Sequence, residues 1–125
     1  MRYDVIFICT ALLCLLVGEG LGVYMGIAQN FLLSPAHAHL NLLGWVTLAA
    51  FGLMHRAYPA LAASRLAGAQ CVLAIGANIL MPTGLALMLL GFDQTLLEVA
   101  SLGVILATVL FVIMFVQKAA PARAA

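Results

Sequence analysis

The sequence predicts an all-α membrane protein, a four-transmembrane-helix bundle that forms one transmembrane domain over residues 1–125, with its N and C termini cytoplasmic. Three observations predict it. Hydrophobic residues make up 66% of the chain and charged residues 7%, where a soluble domain has roughly half and about a quarter. The apolar residues fall into four long runs divided by proline, glycine and polar breaks. The basic residues all fall where one topology places them on a single side of a membrane.

A helix needs ~20 mostly apolar residues to cross a hydrocarbon core of about 30 Å, and 125 residues hold four such spans with short connections and no soluble domain. The runs predict helices over about 5–27, 35–55, 66–90 and 96–116. The first follows Met1-Arg2-Tyr3-Asp4 and exceeds the apolar core of a signal peptide, with no small-residue cleavage site after it, so it is expected to be retained. The second is expected to start at Ser34-Pro35, a capping residue followed by proline at the first helical position. In the third, Pro82 and Gly84 predict a kink or a change of packing. The fourth is featureless apart from Glu98 and Ser101.

Arg2 precedes the first run, Arg56 and Arg65 lie between the second and third, and Lys118 and Arg123 follow the fourth. The opposite side receives the uncharged 29–34 loop and the 91–95 turn with Asp93. The positive-inside rule then places both termini in the cytoplasm, and the expected location is the bacterial inner (cytoplasmic) membrane, with lipid as the solvent.

A net charge of +1 excludes the basic surface that nucleic-acid binding needs. Cys9, Cys14 and Cys71 have no CxxC spacing and lie in apolar runs, where cysteine behaves as a small hydrophobe. Nucleophile triads, phosphate-binding glycine loops and metalloprotease motifs are missing from the sequence, which argues against a self-contained hydrolase.

Four features carry the remaining information. Cys14, Gly18, Gly22 and Gly26 recur every four residues and so share one face of the first helix, a seam for close approach either by another subunit or by a helix of the same chain. Glu19 lies beside that seam inside the membrane, where a carboxylate marks a functional site or a group satisfied by local hydrogen bonds. His37 and His39 fall in the first turns of the second helix, on the outer side. His55, next to Arg56 and Tyr58, is expected to be an interfacial anchor at the inner edge.

Successive helical residues advance by about 100°, so His37 and His39 point to nearly opposite faces and do not grip one metal ion from one helix. Neutral imidazole is a good axial ligand for haem iron, and an H-x-H pair of this kind serves two sites or two symmetry-related ones. Asn41 lies one turn below His37 and Gly44 follows on much the same face, offering a hydrogen-bonding group and clearance for a porphyrin. The plainer alternative is that both histidines contact headgroups and water. Met25, Met54, Met81 and Met88 are core packing by default.

The stretch Pro35-Ala36-His37-Ala38-His39-Leu40-Asn41-Leu42-Leu43-Gly44-Trp45 resembles the haem-copper oxidase superfamily, specifically the catalytic subunit I and its small four-helix relatives. The resemblance implies that this chain is one four-helix arc of an architecture built from three such arcs, and hence a homotrimer. It matches His39 to the low-spin-haem ligand and His37 to the ligand of the reaction-centre haem. In a symmetric trimer each haem b would take one histidine from each of two chains, with Glu19 or Asn41 nearby to tune it. The further histidines of the oxidase copper site have no counterpart here, so copper and complete oxygen reduction are not implied. What the resemblance implies is haem binding for electron transfer or for binding a diatomic gas such as NO or O2, with an unknown redox partner. Two other readings stand beside it: a haemless structural or assembly subunit docked through the glycine seam, and a copper- or zinc-handling membrane protein whose histidines come from several chains.

Overall fold

The computed structural model describes residues 1–118, and among them every regular element is helical. Helix α1 is Tyr3–Ala28. Helix α2 covers residues 34–57 in three consecutive stretches, α-helical Ser34–His39, π-helical Leu40–Thr47 and α-helical Leu48–Ala57. A short 3₁₀ turn, Pro59–Ala63, leads to α3, Ala67–Leu89, and then α4, Thr95–Lys118. The four helices coincide with the expected runs to within about two residues, the usual uncertainty of a helix end. Helices α1, α3 and α4 are each long and apolar enough to cross a membrane, so the chain is an integral membrane protein.

The helices run up and down. Arg56 at the end of α2 donates from Nη1 to Asp4 Oδ2 at the start of α1, 2.9 Å away. Tyr58, just past α2, meets Phe115 near the end of α4 with ring centroids 5.1 Å apart. At the opposite end Gly84 of α3 lies against the backbone of Leu96 and Leu97, where α4 begins. Arg2, Arg56, Arg65 and Lys118 thus gather at one end and Asp93 at the other, the charge asymmetry that the sequence anticipates. Arg123 lies outside the described residues.

Each turn has a local cause. Gln29 adopts the left-handed conformation at φ 51° and its N–H donates to Met25 O, closing α1. Gly91, at φ +91°, does the same after α3, where a side chain would be strained. Helix α2 starts one residue earlier than expected: Leu33 is its cap position, Ser34 is already helical, and no side chain caps it. Asp93 Oδ1 accepts from the Thr95 N–H at 2.9 Å. Hydrogen bonds from the Thr95 side chain and backbone hold the Asp93 carboxyl below its usual range. Helix α3 continues through Pro82 without a break in its assignment; the ring is buried and forgoes a donor to the carbonyl of Asn78.

The core lies toward the basic end, where Phe7 and Ala11 of α1, Leu48 and Phe51 of α2, Ala67, Cys71 and Ala74 of α3 and Phe111 and Met114 of α4 meet. Phe51 stacks on Phe111 at 4.3 Å between centroids. Leu12, Leu16, Val72, Leu102, Ile105 and many other large apolar side chains point outward, as lipid solvation allows.

Helices α3 and α4 approach so closely that a Cβ on Gly84 would lie 2.6 Å from the backbone N of Leu97. Gly84→Leu should therefore lower the unfolding free energy by about 3 kcal/mol, the range of overpacking against a backbone that cannot yield. Gly26→Leu, at a position with no neighbour within 4 Å, should stay within about 0.5 kcal/mol. Denaturant titration in detergent measures both. For topology, a reporter inserted near Ala60 should report the cytoplasm and one near Gln29 the outer side; the reverse result would overturn the orientation.

Candidate functional site

The glycine seam of α1 is filled from within the chain. A Cβ on Gly22 would meet His37 Cε1 at 3.1 Å, and one on Gly18 would meet the Asn41 side chain. A Cβ on Gly44 would meet Cys14 Sγ at 3.0 Å. The stripe Cys14, Gly18, Gly22 thus faces Gly44, Asn41 and His37 in antiparallel register. Small residues on both helices let the backbones close up enough for an imidazole and an amide to fit between them. Of the two possible uses of the seam, the intrachain one is observed; Gly26, at its end, meets nothing within 4 Å.

His37 is half-buried in this seam. Asn41 Nδ2 donates to the His37 carbonyl at 3.1 Å and lies 3.4 Å from each ring nitrogen. The clearance expected at Gly44 for a porphyrin is taken up by Cys14, so His37, Asn41 and Gly44 do share a face, but α1 packs on it.

His39 lies on another flank of α2, as its spacing from His37 requires. Its Nδ1 is 2.8 Å from Pro35 O. A carbonyl only accepts, so Nδ1 carries the proton, and in the neutral ring the lone pair is then on Nε2. This is the arrangement found where a backbone carbonyl orients a metal-ligating imidazole and fixes its tautomer.

The π-helical stretch begins at the residue after His39. Thr47 Oγ1 donates to Leu42 O at 2.8 Å, five residues back, inside it. π turns are rare and recur at functional sites.

Glu19 does not join the histidines. It is exposed, on an outward stripe of α1 with Leu12, Leu16 and Val23, and makes no hydrogen bond or ion pair with the described residues. Among the described residues no three His, Cys, Asp or Glu side chains converge as a metal site would require. Cys9 is exposed, Cys14 and Cys71 are buried, and all three are free thiols.

His55 is not the interfacial anchor that its neighbours suggest. It is only 4% exposed, enclosed by the rings of Tyr3, Phe7 and Phe111 at 5.6, 5.7 and 6.0 Å, and both of its ring nitrogens lack a partner. The anchoring role falls to exposed Arg56 and Tyr58. Gln70 and Asn78 of α3, polar residues inside an apolar run, are fully buried; among the described residues Gln70 has neither amide atom paired and Asn78 lacks a partner for Oδ1. A buried polar group left without a partner costs about 1–3 kcal/mol.

Fold and site together define the class: an integral membrane bundle of antiparallel helices with two imidazoles near the end opposite its basic residues. No known protein family, curated protein or solved structure matches the chain.

Gly18→Ala forces the Asn41 amide out of the seam and should cost about 1–3 kcal/mol. Gly20→Ala, two residues on and on another face of the helix with nothing within 4 Å, should be nearly silent. Comparing the melting temperatures of the two purified variants checks the seam; equal values would remove it.

Proposed function

We propose that this chain is a membrane haem b protein resembling one four-helix arc of haem-copper oxidase subunit I, assembled as a homotrimer, with His37 and His39 as axial ligands contributed by neighbouring chains. The observation that carries the reading is His39: its Nδ1 is committed to Pro35 O at 2.8 Å, which leaves Nε2 free as a ligand near the end of a membrane helix. His37 fits less openly, because its ring lies against Gly22, and a modest shift of the ring away from α1 is needed to present a nitrogen outward. Bound haem would supply one-electron transfer or, with one axial position open, a site for NO or O2. Asn41 would hold the His37 ring in place. Glu19 supports the assembly: a carboxylate on an apolar outward face is costly in lipid, and a neighbouring chain or cofactor is what relieves it.

The experiment is spectroscopic. Detergent-purified protein should show a Soret band with a six-coordinate low-spin spectrum, whereas a haemless assembly subunit or a copper- or zinc-handling protein would show none. His37→Ala and His39→Ala should each convert the spectrum to five-coordinate high-spin or lose haem, and open a position for imidazole or NO. His55→Ala should leave the spectrum nearly unchanged. Wild-type low-spin spectra in both of the first two variants would end the haem reading of this motif, and a monomer mass at every concentration in mild detergent would end the trimer.

A further inference from the structure

The basic end of the bundle holds a second site, chemically unlike the first. A pocket of about 360 Å³ opens there, lined by Arg2, Tyr3, Asp4, His55, Arg56 and Pro59 among others. His55 is the telling group. It is 96% shielded, its Nδ1 and Nε2 bond nothing among the described residues, and it lines this pocket. The rings of Tyr3, Phe7 and Phe111 around it pack on the imidazole without satisfying its N–H.

The pocket's charges have a definite balance. Asp4 accepts from Arg2 Nε and Nη2 at 3.2 and 3.1 Å and from Arg56 Nη1 at 2.9 Å. The carboxylate is thereby paired with both arginines, while both guanidinium groups stay exposed and keep N–H donors unused. One carboxylate against two guanidinium groups leaves this trio with a net positive charge. Guanidinium donors match phosphate oxygens in shape and charge.

An apolar groove of about 570 Å³ adjoins the pocket on the lipid-facing side between α1 and α3. Tyr3 lines both, and the groove continues along Ile6, Cys71, Val72, Ile75 and Gly76. Its depth comes from small residues: Gly76 has no neighbour within 4 Å and Gly68 meets only the Tyr3 hydroxyl, at 3.4 Å. A polar pocket at a helix end running into an apolar groove along the span has the form of an amphiphile.

We propose that this pocket binds the phosphate headgroup of an anionic phospholipid, with its acyl chain in the α1–α3 groove. The phosphate accepts from the free guanidinium N–H groups of Arg56 and Arg2; the His55 nitrogens are shielded, and a turn of the ring toward the pocket brings its unpartnered N–H to the same phosphate. A zwitterionic headgroup is disfavoured because Asp4, the carboxylate that would attract its cation, is already paired twice. The inference is independent of whether the histidine pair binds haem.

Native mass spectrometry of the full chain in mild detergent tests it, with phosphatidylglycerol, phosphatidylcholine and inorganic phosphate as separate probes. Phosphatidylglycerol should be retained at one per chain and at least about tenfold more tightly than phosphatidylcholine, and Arg56→Gln should weaken it by about tenfold or more, as loss of a charge-assisted hydrogen bond does. His55→Phe preserves the aromatic packing and should keep the melting temperature while lowering phosphatidylglycerol retention. Gly76→Leu should reduce lipid retention by filling the groove. Should Arg56→Gln fail to fold, Arg2→Gln probes the same headgroup. Equal retention of the two lipids, or wild-type retention in His55→Phe and the arginine variant, overturns the site. Inorganic phosphate bound as tightly as phosphatidylglycerol, with Gly76→Leu silent, identifies a soluble-anion site and overturns the lipid assignment.

Discussion

The approach of α1 to α2 along Cys14, Gly18 and Gly22 is the contact on which the site depends. In lipid, apolar side chains gain little by meeting one another, so helices associate through close packing and through polar groups that find partners. Here both operate at the same residues. The space left by two glycines admits the His37 ring and the Asn41 amide, and Asn41 then bonds back to the His37 carbonyl. Any side chain on Gly18 or Gly22 would compete with a polar group for that space.

The same economy explains the two ends of the molecule. At one, an imidazole is oriented by a proline carbonyl and left with a free nitrogen. At the other, an imidazole is surrounded by aromatic rings beside a carboxylate paired with two arginines. Proline and the π turn set the first; the convergence of Tyr3, Phe7, Phe51 and Phe111 sets the second. The first lies open at the surface of the bundle and the second is enclosed, although both are near helix ends.

Much of this was legible in the sequence, and the exceptions have physical causes. Helix number, bounds and antiparallel order follow from run length and charge placement, which lipid enforces strongly. The shared face of His37, Asn41 and Gly44 follows from helical periodicity. Periodicity does not say which partner fills a seam, so the close packing of α1 on α2 was one of two options. His55 was misplaced because Arg56 and Tyr58 beside it do look outward, and only the tertiary convergence of aromatics from α1 and α4 draws it inside. Gln70 and Asn78 stand in plain view as polar residues in an apolar run, but eight positions put them about 12 Å apart along the helix, and the run does not say that both turn inward. The π stretch has no comparable signature, since a single register shift leaves composition unchanged.

That stretch has a mechanical meaning. Between Leu40 and Thr47 the backbone closes its hydrogen bonds over five residues where an α-helix closes them over four, so α2 stores one residue of spare length just inside the histidine pair. Spare length of this kind can be passed along a helix by re-pairing successive carbonyls, without unwinding either end. The segment bearing His37 and His39 is thus joined to the rest of α2 through that extra residue, while beyond it Gly52 packs tightly on Asp4, Phe7 and Ile8 of α1.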